Sequence, residues 1–227
     1  MRLVLVLAAM GALAAPAAGV EIKPAPAGKM TDAGFDWTGF YAGLNGGTVA
    51  GHARAVSNTT IMITDTPVNG YVLGATLGAN WQLQQFVLGA EGDLAWAGAS
   101  GTALCTVVPA NNCDTDLSWL GTIKARAGVA FDRTLLFANG GFVTAGASMR
   151  VSPAVAGTSG VFEERYSGWT VGVGAEVSIT KAVSVKAEYN LNEFSEKLAP
   201  VDSLRDGEVT SVRPVLHTVK VGANWHF

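Results

Sequence analysis

Charged side chains recur in this chain at alternate positions. Glu91 and Asp93 stand two residues apart, as do Lys124 and Arg126, and Lys186 and Glu188. Successive side chains of a β-strand point to opposite faces, so each pair shares one face if its segment is extended. Glu176 and Lys220 hold the same kind of position in two further alternating segments. The chemistry open to these four acids and four bases is electrostatic. Gathered in one interior, they form either a salt-bridge core that fills it or a charged constriction that selects ions. Unpaired charge in such a place is costly, whereas paired and hydrogen-bonded charge is tolerated. Segments adjacent in sequence are expected to pair. Glu91 and Asp93 should then face Lys124 and Arg126, while Lys186 and Glu188 should meet Glu176 and Lys220.

The remaining reactive side chains are few. Cys105 and Cys113 are the two cysteines, and seven residues separate them. In an exported chain a disulfide is the expected reading, with a loop-closure gain under about 3 kcal/mol for so short a loop. No His or Cys cluster accompanies them, so no metal site is expected. His52, His217 and His226 are dispersed, and no nucleophile–base arrangement is legible among them. His226 should fall on the polar face of its strand and His217 on the apolar one. Neither a catalytic residue nor a cofactor site is predicted. A net charge of −3 gives no footprint for nucleic acid.

The elements that must position the eight charges are strands. In the last thirteen residues Val219, Val221, Ala223, Trp225 and Phe227 alternate with Thr218, Lys220, Gly222, Asn224 and His226. The same alternation runs through Tyr71–Trp81, through Phe86–Trp96, and through Trp169–Ile179 and Val183–Leu191. In the segment Leu117–Phe131, Leu117, Trp119, Ile123, Ala125, Ala127, Val129 and Phe131 are expected to share the apolar face. Trp37 to about Ala50 reads as the first strand, with Phe40 and Tyr41 leaving its faces ambiguous. Thr134 to about Arg150 alternates poorly around Asn139. The count is about eight strands. Short connections at Gln82–Gln85, Asp132–Arg133 and Thr180–Lys181 alternate with long ones over residues 52–69, 100–115, 151–164 and 197–211.

On the clear strands every charge lies on one face, and the other face carries large hydrophobes. A soluble eight-stranded barrel would have to expose the charged face and bury the other. An outward face this apolar suits lipid. The predicted fold is all-β: an eight-stranded antiparallel transmembrane β-barrel with long surface loops and short periplasmic turns. Lipid demands such closure, because every backbone polar group must be satisfied within the protein. Trp81, Phe86, Phe131, Trp225 and Phe227 then lie near the short turns, and Trp96 and Trp119 lie towards the long loops, as two aromatic girdles.

Arg2, the apolar run Leu3–Leu13 and the Ala15-Pro16-Ala17 site read as an export signal over residues 1–19, cleaved near residues 17–19. Residues 20–36 are rich in Pro and Ala and form a lead-in, and residues 37–227 form the barrel domain. The expected location is the outer membrane, with both termini periplasmic because the strand number is even. Outer-membrane lipid and lipopolysaccharide are the expected partners.

Six segments also resemble a known family. They are W-T-G-F-Y-A-G-L-N-G-G at Trp37–Gly47, V-L-G-A-E-G-D-L at Val87–Leu94 and T-I-K-A-R-A-G-V-A-F-D at Thr122–Asp132. The others are G-W-T-V-G-V-G-A-E at Gly168–Glu176, V-K-A-E-Y at Val185–Tyr189 and H-T-V-K-V-G-A-N-W-H-F at the end. Together they resemble the small porin-like outer-membrane proteins of alphaproteobacteria, the RopB-type barrels. Lys124 stands where that family more often has Arg, and Trp225 where Tyr is common. The resemblance implies a porin-like protein or surface antigen. The terminal aromatic face, with Trp225 and Phe227, also resembles the signal read by the barrel-assembly machinery. Three functions are compatible with the sequence. One is a structural envelope barrel, plugged by balanced charge, that presents surface loops. Another is a narrow diffusion channel. The third is a lipid-modifying enzyme, for which no residue arrangement speaks.

Overall fold

The computed structural model describes residues 34–57, 63–104, 112–152, 161–199 and 210–227. The export signal, nearly all of the lead-in, and Cys105 lie outside the described residues. Nine strand segments form the sheet: β1 (Gly39–Ser57), β2 (Ile63–Leu83), β3 (Phe86–Leu104), β4 (Asn112–Phe131), β5 (Thr134–Ser152), β6 (Val161–Ser178), β7 (Val183–Phe194), β8 (Lys197–Ala199) and β9 (Thr210–His226). Each pairs antiparallel with its neighbour, and β9 returns to β1. β8 pairs with β9 just beyond the end of β7, so β7 and β8 are one stave interrupted at Ser195 and Glu196. The result is a closed antiparallel barrel of eight staves.

The ladder register fixes the width of this barrel. From Tyr41, the cross-strand row runs through Gly78, Glu91, Lys124, Gly141, Thr170, Asn192 and Leu216. It re-enters β1 at Gly51, ten residues along from Tyr41. For eight staves that stagger gives a strand tilt of roughly 40° and an interior that side chains can fill. The row therefore climbs about 25 Å in one circuit, or about 3 Å per stave.

Two-residue turns join β2 to β3 and β4 to β5. Their first residues, Gln84 (φ 56°) and Asp132 (φ 52°), adopt left-handed backbone. Asp tolerates that region through local hydrogen bonding, and at Gln84 the Gln82 amide donates to the Gln84 carbonyl at 2.7 Å. The chain before β1 closes off this end. The Phe35 N–H donates to the Asp132 carbonyl at 3.0 Å and the Trp37 N–H to Gln82 Oε1 at 2.8 Å. Trp37 is completely buried against Val87, Leu135 and Phe137.

Much of what reads in sequence as long loop is strand. β1 continues to Ser57 and β2 begins at Ile63; the other three connections shorten in the same way. Strands β1–β6 and β9 run 17–21 residues, whereas about 9–11 cross a bilayer. The surplus lies at the loop end, and there the barrel turns right side out. Val49, Ala53, Val68, Val72, Met149, Phe162 and Leu216 are buried inside it. Arg54, Asp65, Glu163, Arg165 and Arg213 are exposed outside. Nearer the turns the sides are reversed: Leu44, Leu77, Leu94, Ile123, Phe142 and Val221 are exposed, and the charges are inside.

The crossover in β4 is made by an irregularity, whereas on β3 Glu91, Asp93, Ala95, Ala97 and Ala99 all stay on the inner face. The register slips between Trp96/Ala99 on β3 and Leu117/Trp119 on β4. Such a bulge changes the phase of alternation. It turns Leu117 inward, 5% exposed, and Ser118 outward. The expected place of Leu117 on the outward apolar face is thereby corrected. On β1 the ambiguity resolves with Tyr41 inward and Phe40 outward.

Candidate functional site

All eight residues of the expected charge network lie inside the barrel, and none is more than 7% exposed. Each strand contributes through its period of two: β3 gives Glu91 and Asp93, β4 gives Lys124 and Arg126, β6 gives Glu176. β7 gives Lys186 and Glu188, and β9 gives Lys220. Apolar clusters bound this layer at both ends, the Trp37 group at the turns and the Val49–Leu216 group at the loops.

Glu91 is the hub. Its carboxylate lies 3.2 Å from Lys124 Nζ, 3.4 Å from an Arg126 nitrogen and 2.7 Å from Lys186 Nζ. The Tyr41 hydroxyl also donates to it at 2.8 Å, and accepts from Arg126 at 2.9 Å. Arg126 extends to Glu176 at 2.8 Å, with the guanidinium 4.1 Å from the Phe137 ring centre. Lys124 reaches Glu188 at 2.5 Å. Lys220 and Asp93 form a separate pair at 2.5 Å, in which Asp93 also accepts from Asn45 at 2.5 Å and Thr76 at 2.9 Å.

The partners agree with those expected only in part. Glu91 does meet Lys124 and Arg126 on the adjacent strand. Asp93 does not join them and pairs with Lys220 on β9. Glu176 stands opposite Lys186 in the ladder, and Glu188 opposite Lys220. Yet Glu176 pairs with Arg126, Lys186 with Glu91, and Lys220 with Asp93. The inner surface is concave, so side chains from opposite walls converge on the axis. In a lumen this narrow a lysine spans it as readily as it reaches its neighbour. Pairing across the lumen adds Lys186 to the two β4 cations around the Glu91 carboxylate, which offsets the desolvation of all of them.

The structure also gathers a cluster that sequence spacing did not reveal. Ser184 Oγ lies 2.8 Å from His226 Nε2 and donates to Glu176 Oε1 at 2.6 Å, while the same His226 nitrogen is 3.6 Å from Glu176 Oε1. The residue types match a hydrolytic triad, but the wiring does not. A triad places the acid on one imidazole nitrogen and the serine on the other. Here one nitrogen faces both; Ser184 is fully buried, and the rings of Phe35, Trp37 and Tyr41 surround His226. The cluster completes the hydrogen bonding of Glu176, to which Asn224 also donates at 2.7 Å. The other histidines point outward. His217 stacks on Tyr189 with a 2.7 Å hydrogen bond, and His52 is exposed. Cys113 is buried at the loop end, on β4.

A family model described as the outer membrane protein beta-barrel domain matches residues 5–227. The chain belongs to that family. A 31 kDa outer-membrane immunogenic protein of Brucella melitensis biotype 1 is 30% identical over 238 residues, covering 97% of each chain. A 22 kDa outer membrane protein of Rhizobium leguminosarum is 26% identical, covering 74% of this chain and 69% of its own. These relatives agree with the resemblance read from the motifs. The barrel is also similar to the crystal structure of the outer membrane protein OprG from Pseudomonas aeruginosa. The TM-score is 0.53 with 10% identity, over 85% of this chain and 99% of that one, which is a likeness of fold alone. The outward apolar belt of this outer-membrane barrel is therefore its lipid-facing surface.

Proposed function

We propose that this outer-membrane barrel is a structural envelope protein that holds its loop end rigidly at the cell surface, with a lumen closed by its own charges. The carrying observation is the ion-pair layer, in which Glu91 alone engages Lys124, Arg126 and Lys186 in an interior sealed by apolar clusters at both ends. An even number of staves puts both termini on one side, the periplasmic one. The loop end then stands outside the cell. On β5 the segment from Thr144 to Ser152 carries the barrel wall about 20 Å further towards the loop end. The relatives named immunogenic support an exposed loop end and a role without catalysis. Trp225 and Phe227 serve as the assembly signal.

Planar-bilayer recording on refolded protein tests the closed lumen against the narrow diffusion channel. Wild type is expected to give no reproducible conductance, and an E91A/D93A variant to give intermittent steps. Reproducible wild-type channels whose selectivity changes in that variant would establish the channel instead.

A further inference from the structure

The outer wall carries a feature that the closed lumen leaves unused. Trp96, Trp119, Gly146 and Arg165 form one cross-strand row over β3, β4, β5 and β6. Gly146 has no side chain, and a Cβ built there would strike the Trp119 indole. The absent side chain makes room for the ring, and the Arg165 guanidinium reaches over it, 5.5 Å from the ring centre. Because the row climbs by about 3 Å per stave, Arg165 stands about 6 Å above Trp119, towards the loop end.

Two hollows of opposite character meet at Trp119. On the loop side is a polar hollow of about 380 Å³, lined by Ser118, Ser148, Glu163 and Arg165 with Trp119 at its edge. On the turn side an apolar groove of about 460 Å³ runs past Leu94, Gly121, Ile123 and Phe142, again with Trp119 at its edge. Leu94, Ile123 and Phe142 are each more than 60% exposed, so the groove lies within the lipid-facing belt.

We infer that Arg165, Trp119 and this groove bind one phosphorylated lipid of the outer leaflet, its phosphate on Arg165 and a fatty chain along the groove. The inference rests on the outward placement of the loop end proposed above. A tryptophan at the boundary, a cation just beyond it and an apolar track below reproduce the order phosphate, interface, chain of such a lipid. The hollow is not a broad basic patch. Glu163 is exposed beside Arg165, and Glu164 is occupied, accepting from the Arg165 N–H at 3.0 Å and lying 3.9 Å from Lys197. One phosphate therefore fits, and Glu163 opposes it.

The test is native mass spectrometry of the refolded full-length mature barrel in detergent, with monophosphoryl lipid A and its phosphate-free counterpart as probes. Detergent exposes the whole surface, so the result is independent of which way the barrel faces in a cell and of whether it conducts. Arg165→Gln is expected to weaken the phosphorylated probe about tenfold, Glu163→Gln to strengthen it, and neither to change the phosphate-free probe. Gly121→Leu, whose added Cβ would meet only ordinary contacts, fills the groove and should weaken both probes. Equal binding of the two probes to wild type, or unchanged binding of the phosphorylated probe to Arg165→Gln, would overturn the inference.

Discussion

Lys220 on β9 bonds to Asp93 on β3 at 2.5 Å, although its ladder partner on β7 is the acid Glu188. The choice shows that the lumen layer is organised across the barrel rather than along its wall. It also makes the pair separable from the Glu91 network, with which it shares no ion pair of 4 Å or less among the described residues.

The separability can be measured. D93N and K220M should each destabilise the barrel by about 3–5 kcal/mol, because each leaves one buried charge unpaired. The double variant should cost much less than their sum. Urea unfolding in micelles, followed by tryptophan fluorescence, supplies the cycle. Additive costs would show that the pair is not coupled.

Glu91 should be the most sensitive lumen position. E91Q keeps the shape and the Tyr41 contact, but leaves Lys124, Arg126 and Lys186 with one carboxylate fewer. The expected loss exceeds that of D93N in the same unfolding assay. A change within about 0.5 kcal/mol, as for an ordinary surface site, would mean that the layer does not support the fold.

Phe227 tests assembly apart from stability. Its N–H donates to the Phe40 carbonyl at 2.9 Å, but the residue is 78% exposed. Removing it should cost the finished barrel little and lower its level in the outer membrane severalfold. Fractionation of cells expressing the deletion, beside refolding of the purified variant, gives both readouts. Normal outer-membrane levels would count against a signal role.

Cys105 and Cys113 should be joined in the mature protein. Labelling of unreduced, denatured protein with a thiol reagent is expected to find no free thiol, and C113A should lower stability by under about 3 kcal/mol. Two reactive thiols per chain would contradict this.

What the sequence determined by itself is the period. Alternation of two in Trp169–Ile179 or Val219–Phe227 forces strands with one apolar face, and apolar faces with charge opposite them force a closed barrel in lipid. The same alternation identified all eight lumen charges, because side-chain direction along a strand is a local property. Reading Val49, Ala53 and Ala55 against His52 and Arg54 with the faces exchanged would also have revealed the loop-end extension. Its polar exterior disguised it as loop.

Tertiary structure decided the rest. Which acid meets which base depends on the ten-residue stagger that brings Tyr41 round to Gly51, and no single strand encodes that stagger. The bulge that turns Leu117 inward exists only as a mismatch between two strands. Ser184, Glu176 and His226 meet because β6, β7 and β9 end together at the turns. Distances across a closed lumen belong to the whole circuit of strands, so only the folded barrel sets them.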